Sequence, residues 1–205
     1  MIWRRSKSYR TLKKNKYDKL SRITERQWDT KSDKMTGIMQ LLLTAAFAGL
    51  VAVTSVIVTF PIPKMAGYFN MGDAVIFVAA LVFGSRVGGL AGGIGSAVAD
   101  LVVHPLLVPY TLVIKGIEGW LVGRLSRRTF RSDYAACVLG GGEMVLGYLV
   151  IEALLFGFGG ALQDLPFNLF QVVAGIAVGP VTALLLRRGL PSLSSQRRLP
   201  AKSRP

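Results

Sequence analysis

Long apolar segments, separated by short polar or proline-containing stretches, occupy the middle of the chain. The first segment runs from Ile38 to Phe60 and ends at Pro61 and Pro63. Proline stops a helix because it lacks the amide donor that the next hydrogen bond requires. About 20 apolar residues in a helix cross the hydrocarbon layer of a membrane. The pattern therefore predicts a series of membrane-spanning helices rather than a soluble core.

The remaining apolar segments give five more predicted spans. The first two of these are short and are separated only by Gly84, Ser85 and Arg86, so two tilted spans and a re-entrant hairpin are alternatives. Arg86 favours two spans, because a charge is costly at the middle of a membrane and is accommodated at its surface. The five predicted spans are Asp73–Phe83, Val87–Val103, Tyr110–Val122, Tyr134–Phe156 and Phe167–Leu186.

Basic residues collect at alternate ends of these spans. Six spans place 23 of the 25 lysines and arginines on one side, with Lys64 in an outer loop and Lys115 inside a span. Positively charged flanks stay in the cytoplasm, so both termini are predicted to be cytoplasmic and the segment Gly157–Pro166 to be an outer loop. The expected protein is an all-α integral membrane protein of the cell membrane, with six transmembrane helices.

Two basic tails flank the predicted membrane domain, which covers residues 38–187. The N-terminal tail covers residues 1–37, and its first 34 residues contain 12 basic and 4 acidic side chains. It has too few apolar residues to form a core of its own. A solvated tail and an interfacial helix on anionic lipid remain alternatives for it. The C-terminal tail covers residues 188–205 and is also basic.

Composition excludes several functional classes. The net charge of +14 would suit a nucleic-acid partner, but the charges flank apolar spans and no nucleic-acid-binding motif accompanies them, so no such partner is expected. The single Cys137 allows no internal disulfide, and the single His104 argues against a metal cluster or a serine hydrolase triad. His104 precedes Pro105 and is expected in a surface loop. Without a phosphate-binding loop the chain is not expected to be an enzyme, nor to bind a cofactor or metal.

Ionisable residues inside the apolar segments are the strongest candidates for function, because each is costly in lipid unless it is paired or hydrated. The threading direction places several polar side chains at the outer ends of their spans, which predicts a polar cup open to the outside. Lys115 and Glu118 lie deeper and are three residues apart, so a structural salt bridge and a ligand contact are both possible for Lys115. The residues of the predicted cup are Asp73, Asp100, Glu152, Asn168 and Gln171.

Small residues recur at helical spacing in the first and third spans. Thr44, Ala48 and Ala52 form one stripe in the first span, and glycines from Gly88 to Gly93 form ridges in the third. Small side chains allow the backbones of neighbouring helices to approach closely in lipid. These rows therefore either pack within the fold or contact a helix of a partner protein.

Four motifs occur in order along the predicted spans. They are YFNMGDAVI from Tyr68, FGSRVGGLAGGIGSAVAD from Phe83, VIKGIEG from Val113, and Leu165-Pro-Phe-Asn168 with Gln171. Together they resemble the substrate-binding S component of an energy-coupling-factor (ECF) vitamin transporter, and the most similar branches are the riboflavin-type and the hydroxymethylpyrimidine- or pyridoxine-type S components. The likeness extends from about Ile38 to Arg187.

The resemblance implies that the chain captures a vitamin-like molecule in an outward cavity capped by the loop after the first span. It also implies a transmembrane T component and two cytoplasmic ATPase subunits as partners, with ATP hydrolysis by the latter. The stripe of Thr44, Ala48 and Ala52 would contact the T component. The expected substrate-binding residues are Tyr68, Asn70, Asp73, Tyr110, Lys115, Glu152, Asn168 and Gln171.

Two other classes stay open from the residues alone. A stand-alone secondary transporter or channel could relay protons or cations through carboxylates in the spans, of which Glu143 is a further member. A structural membrane protein would use the same ionisable groups only to pair with one another.

Overall fold

The computed structural model describes residues 37–57, 60–61, 68–69 and 71–189. Asn70 and most of both predicted tails lie outside these residues. The described part is helical apart from one pair of two-residue strands. The elements are α1 (Gly37–Ile57), β1 (Phe60–Pro61), β2 (Tyr68–Phe69), α2 (Gly72–Phe83), α3 (Ser85–Val103), a 3-10 turn (Pro105–Leu107), α4 (Val108–Leu125) and α5 (Phe130–Gly189).

Length and composition allow four of the described helical stretches to cross a membrane: α1, α3, the stretch Pro105–Leu125 and α5. The fifth helix, α2, is apolar but only 12 residues long. The predicted all-helical fold with several apolar spans is therefore confirmed. The two strands pair antiparallel, with Phe60 opposite Phe69, and β2 lies against α5.

The 60 residues of α5 form a helical hairpin. A straight helix of that length would be about 90 Å long, roughly three times the hydrocarbon thickness of a bilayer. Its backbone leaves helical geometry at Gly157 (φ 78°, ψ 166°). Arg187 near its end reaches Asp133 near its start, with 2.6 Å between Nη1 and Oδ2. The two halves of α5 therefore run antiparallel.

The predicted outer loop Gly157–Pro166 is wrong, because the structure is helical from residue 158 through Pro166. Glycine adopts a positive φ without a Cβ penalty, so Gly157 alone makes the reversal that the sequence assigned to ten residues. Membrane helices tolerate an internal proline where neighbouring groups compensate for its missing donor.

A single glycine also separates α2 from α3. Gly84 has a φ of 96°, its N–H donates to the Ala80 carbonyl (2.9 Å) and its carbonyl accepts from the Gly88 N–H (2.9 Å). Arg86 follows at the exposed start of α3. The predicted division into two helices at this site is confirmed.

α2 lies at the centre of the core. Ten of its 12 residues are buried, as expected for a helix that is apolar all round. Phe77 belongs to one buried apolar cluster with Val51 of α1, Val122 of α4 and Ala183 of α5. This core belongs to the compact unit of residues 43–205, whereas residues 37–42 belong to a separate unit of residues 1–42, in which they are helical.

The glycine ridge of α3 packs within the fold. A Cβ at Gly92 would lie 2.8 Å from the Lys115 carbonyl of α4 and 3.1 Å from Ile76 of α2. Only a residue without a side chain allows the three helices to approach this closely. The ridge thereby sets the position of α4, which carries Lys115.

The stripe of small residues predicted on α1 is mostly buried inside the fold. Thr44 and Ala48 are buried, and the Ala48 carbonyl packs against Gly95 of α3, whereas Ala52 is half-buried. A partner helix would reach only Ala52 of the three without a rearrangement of the chain. The small residues that α1 exposes are Gly37, Ala45, Ala46 and Gly49.

Candidate functional site

One cavity of about 420 Å³ lies where the C-terminal end of α1, the end of α3, the start of α4 and the bend of α5 meet. Its volume falls within the range of roughly 300–1,000 Å³ typical of small-molecule sites. The lining residues are Ser55, Ser96, Ala99, Asp100, His104, Leu107, Thr111, Lys115, Tyr148, Glu152, Phe156, Gly160, Gln163, Asp164, Phe167, Asn168 and Gln171.

Lys115 contributes the amino group of the cavity and is almost fully buried. Its Nζ forms a salt bridge with Asp73 of α2 and lies 3.2 Å from Glu118 Oε2, one turn further along α4. Gln171 of α5 donates to the same Asp73 oxygen (2.8 Å). Burial is tolerated because the ammonium has opposite charges within contact distance. Lys115 therefore forms the structural salt bridge that the sequence allowed, and it also lines the cavity, where a ligand could contact it.

A hydrogen-bonded chain crosses the wall next to Lys115. Tyr148 donates its hydroxyl proton to Thr111 Oγ1 (2.9 Å), and Thr111 donates to Asp100 Oδ2 (2.5 Å). The Lys115 Nζ lies 5.8 Å from the centre of the Tyr148 ring, within cation–π range. These contacts fix the orientation of polar groups supplied by α3, α4 and α5.

Carboxylates dominate the part of the cavity near the bend of α5. Asn168 lies beside Glu152, and Asp164 lies near His104. Glu152 Oε2 and Asp164 Oδ1 are buried and accept no hydrogen bond from the described residues. Buried acceptors of this kind are costly until a donor reaches them. A bound molecule with N–H or O–H donors would supply such partners.

Four of the eight predicted substrate-binding residues line the cavity: Lys115, Glu152, Asn168 and Gln171. Asp73 lies behind Lys115 and Gln171 and holds both of them. Tyr68 belongs to β2, and its side chain, like the whole of Asn70, lies outside what the structure describes.

Tyr110, a predicted substrate-binding residue, does not line this cavity. It packs on an apolar cluster that includes Ile114, Met144 and Val172, and its role in binding stays a prediction. Its neighbour Thr111 faces the cavity, because successive helical residues point about 100° apart. The spacing of four between Thr111 and Lys115 would have indicated Thr111, since residues four apart share a helical face.

His104 also differs from the expected surface loop. It lies between the end of α3 and the start of the 3-10 turn. It is half-buried and lines the cavity. Gln163 and Asp164 also line the cavity, but the sequence pattern did not indicate them. They lie in the segment predicted to be a loop, which is helical. Within the described ranges, Glu118 is fully buried below the cavity and neither Glu118 nor Glu143 lines it.

Comparison with known families gives a match over nearly the whole membrane domain. Residues 35–188 match the family described as ECF-type riboflavin transporter, S component. The chain belongs to this family. It is therefore a membrane transport component that binds a substrate for an ECF importer, rather than an enzyme. The resemblance identified from the four sequence motifs is confirmed.

This chain covers most of the length of two curated relatives. An uncharacterized protein in the gap 3' region of Pyrococcus woesei is 43% identical over 140 residues, which is 67% of this chain and 95% of the relative. The thiamine precursor transporter HmpT of Lactococcus lactis subsp. cremoris (strain MG1363) is 31% identical over 153 residues, or 74% of this chain and 89% of the relative.

A solved structure supports the fold. The S component of a bacterial ECF transporter superposes with a TM-score of 0.57 at 16% identity, and the match covers 78% of this chain and 99% of that one. At this identity the similarity establishes the fold alone. The helical hairpin of α5 and the central α2 are therefore parts of an S-component fold.

Proposed function

We propose that the chain captures a small heteroaromatic vitamin or vitamin precursor from outside the cell for ATP-driven uptake. A transmembrane T component and two cytoplasmic ATPase subunits would provide the transport and the ATP hydrolysis. The observation that carries the proposal is the cavity of about 420 Å³, which is lined by oriented hydrogen-bonding groups within an S-component fold. Stacking on a flat ligand would come from rings near the cavity, of which Phe156 and Phe167 line it.

The charges favour a substrate that donates hydrogen bonds. Asp100, Glu152 and Asp164 line the cavity, whereas the positive charge of Lys115 is compensated by Asp73 and Glu118. An anionic substrate such as a phosphate ester would be repelled by these carboxylates. An aminopyrimidine offers a flat ring and N–H donors, and the curated relative HmpT is a thiamine precursor transporter. We therefore place the thiamine-precursor pyrimidines ahead of riboflavin as substrate.

The experiment begins with purification of the full chain from membranes and mass spectrometry of the small molecules that remain bound. Thermal shift of the emptied protein with hydroxymethylpyrimidine, thiamine, riboflavin and pyridoxine then ranks the candidates. A shift with the pyrimidine alone supports the proposed class, and a shift with riboflavin alone would replace it. No bound molecule and no shift across the panel would contradict substrate capture by this cavity.

The proposed topology has six spans in the plasma membrane of a prokaryote with both termini in the cytoplasm. Residues 38–187 would form the membrane domain, and residues 1–37 and 188–205 would be basic cytoplasmic tails. The hairpin of α5 supports two spans from one helical stretch, since Asp133 and Arg187 meet at the same end. The arginines at that end, Arg86 and Arg124 among them, favour the cytoplasmic side.

We also propose a partner contact at the stripe of Thr44, Ala48 and Ala52, although only part of this stripe is accessible. Because the chain itself covers Thr44 and Ala48, the T component would contact Ala52 together with the exposed small residues Ala45 and Gly49. Close approach of the two backbones would stabilise such a contact.

The alternative is a stand-alone secondary transporter or channel driven by ions or protons. Buried carboxylate oxygens of Asp73, Glu118 and Glu143 that accept no hydrogen bond from described residues favour it, because a proton or cation would satisfy them. Uptake by the purified chain in proteoliposomes under an ion gradient, with no ATPase present, would establish this alternative. A purely structural role would require that neutralising Lys115 and Glu152 together leaves ligand binding unchanged.

A further inference from the structure

A second concave site lies on the outer face of the helix pair α3 and α4. It is a groove of about 560 Å³. Gly89 and Gly93 of α3 and Gly116 of α4 form its floor, where the backbones of the two helices lie close together. Exposed apolar side chains, Leu90, Ile94 and Leu112, flank that floor. The complete lining is Ser85, Arg86, Gly89, Leu90, Gly93, Ile94, Leu112, Gly116 and Trp120.

Positive charge is concentrated at one end of this groove. Arg86 lines the groove, is exposed and forms no ion pair with the described residues. Gly123 packs against Ser85, with a Cβ there only 2.6 Å from the Ser85 Cα, so the end of α4 lies beside the start of α3. The exposed arginines Arg124 and Arg127 follow at this same end.

No carboxylate near this end is free to neutralise the arginines within the described part of the chain. Asp133 lies at the start of α5, but its two oxygens are occupied by Arg187 (2.6 Å) and Ser126 (2.5 Å). The end of the groove therefore has uncompensated positive charge, whereas its other lining is apolar. A ligand that complements it has an anionic head and an apolar chain.

We propose that this groove binds an anionic phospholipid, with the phosphate at Arg86 and one acyl chain over the glycine floor. Trp120 borders the groove and is half exposed, and tryptophan is enriched at the level of lipid headgroups. In the proposed topology the site faces the cytoplasmic leaflet, where anionic lipids attract basic residues. Only the choice of leaflet depends on that topology, and the site is separate from the substrate cavity.

Gly116 allows the groove to be filled without disturbing the helix pair. A Cβ at Gly116 would have no neighbour closer than the Gly89 carbonyl oxygen at 3.7 Å, which is ordinary contact. At Gly93, in contrast, a Cβ would lie 2.6 Å from the Leu112 carbonyl oxygen and would push the helices apart. Gly116→Leu is therefore the variant that blocks the acyl chain, and Arg86→Gln removes the charge at an exposed position.

The test is native mass spectrometry of the full chain in detergent, titrated with dioleoyl phosphatidylglycerol or dioleoyl phosphatidylcholine. We expect the wild-type chain to retain phosphatidylglycerol preferentially. Arg86→Gln should weaken its retention about fivefold, the loss corresponding to one arginine near an anionic lipid surface, and Gly116→Leu should weaken it at least as much. Matched controls are Arg188→Gln, at an exposed arginine of α5, and Gly142→Leu, where a Cβ would have open space.

Equal retention of the two lipids, or unchanged retention by both groove variants, would overturn the proposal. Loss of lipid in the control variants to the same degree would also overturn it, since the binding would then be unspecific. If Gly116→Leu keeps phosphatidylglycerol but loses a co-purifying subunit, the groove is a protein contact and not a lipid site. Thermal shift with the vitamin panel on the same variants reports separately on substrate capture.

Discussion

At the scale of single residues, the cavity depends on a lysine that has two acidic partners. Lys115 is buried between Asp73 and Glu118, and Gln171 also binds Asp73. A buried pair costs desolvation, yet removing one partner costs more, because an uncompensated charge remains in the interior. Lys115 and Gln171 also line the cavity, so stability and substrate binding depend on one network.

Lys115→Met is expected to destabilise the chain by about 3–5 kcal/mol, since the two carboxylates lose their cation. The double variant with Asp73→Asn should recover part of this loss because one of the two charges is then removed. Apparent melting temperatures in detergent, without added substrate, measure both effects. A Lys115→Met protein that melts like the wild type would show that the ion pair contributes nothing to stability.

Asn168→Ala is expected to weaken substrate binding by about 1–3 kcal/mol through an unmade buried hydrogen bond. Asn168 lines the cavity beside Glu152, whereas its neighbour Leu169 is exposed. Leu169→Ala is therefore the matched control. Calorimetric titration with the ligand identified by mass spectrometry gives the affinities. Equal affinities for the two variants would remove Asn168 from the binding site.

At the scale of helices, glycines determine which surfaces meet. Gly92 allows α3 to approach α4 and α2, and Gly84 and Gly157 allow reversals within one residue. In lipid the packing of backbones, rather than hydrophobicity, distinguishes one helix arrangement from another. The position of Lys115 therefore depends on glycines that never contact the substrate.

Gly92→Val is expected to destabilise the fold by at least about 1–3 kcal/mol through overpacking and to weaken substrate binding at the same time. A Cβ there would be 2.8 Å from the Lys115 carbonyl, which must move. Gly49→Val is the control, because a Cβ at that exposed position has no neighbour within 4 Å. Melting temperature and ligand affinity are compared for the two variants, and similar values for both would contradict the packing argument.

Ala52→Trp is expected to reduce co-purification of the T component while leaving substrate affinity within a few-fold. A bulky residue at a half-buried position on α1 would hold a partner helix away. Ala48→Leu should instead lower the melting temperature, because the Ala48 carbonyl packs against Gly95. Pull-down with the co-expressed subunits separates the effects. Normal pull-down of Ala52→Trp would assign the partner contact to another surface.

At the scale of the molecule, the cavity and the basic end lie at opposite ends of the bundle. The cavity is formed where α5 bends, and the arginines collect where Asp133 and Arg187 join the ends of α5. Arg187 also donates to the Leu81 carbonyl, which ties the end of α2 to the same place. This separation matches a protein that binds a substrate on one side and contacts energising subunits on the other.

Cysteine labelling tests the orientation, because the only cysteine, Cys137, is buried. In a Cys137→Ala background, Gly159→Cys should react with a membrane-impermeant maleimide in intact cells, since the bend of α5 faces outside in the proposed topology. Arg127→Cys at the opposite end should react only after the cells are lysed. The reverse pattern would invert the topology.

The sequence by itself determined the apolar segments, their basic flanks and the family. Apolar runs of span length are local properties, so they predicted the helices, including the division at Gly84, whereas the orientation of the helices in the membrane stays a prediction. Four of the predicted binding residues also line the cavity, because polar groups in apolar spans are too costly to retain without partners. The role of each in binding stays a prediction.

Only the tertiary structure decided which of these residues meet. The partnership of Lys115 with Asp73 joins residues 42 positions apart, and no helical spacing encodes it. Tyr110 packs on an apolar cluster and Thr111 lines the cavity, because the rotation of α4 is set by its contacts with the glycines of α3. The outer loop proved to be helix because one glycine sufficed for the reversal. Rotation and packing of helices depend on contacts between distant residues, which hydropathy along the chain does not contain.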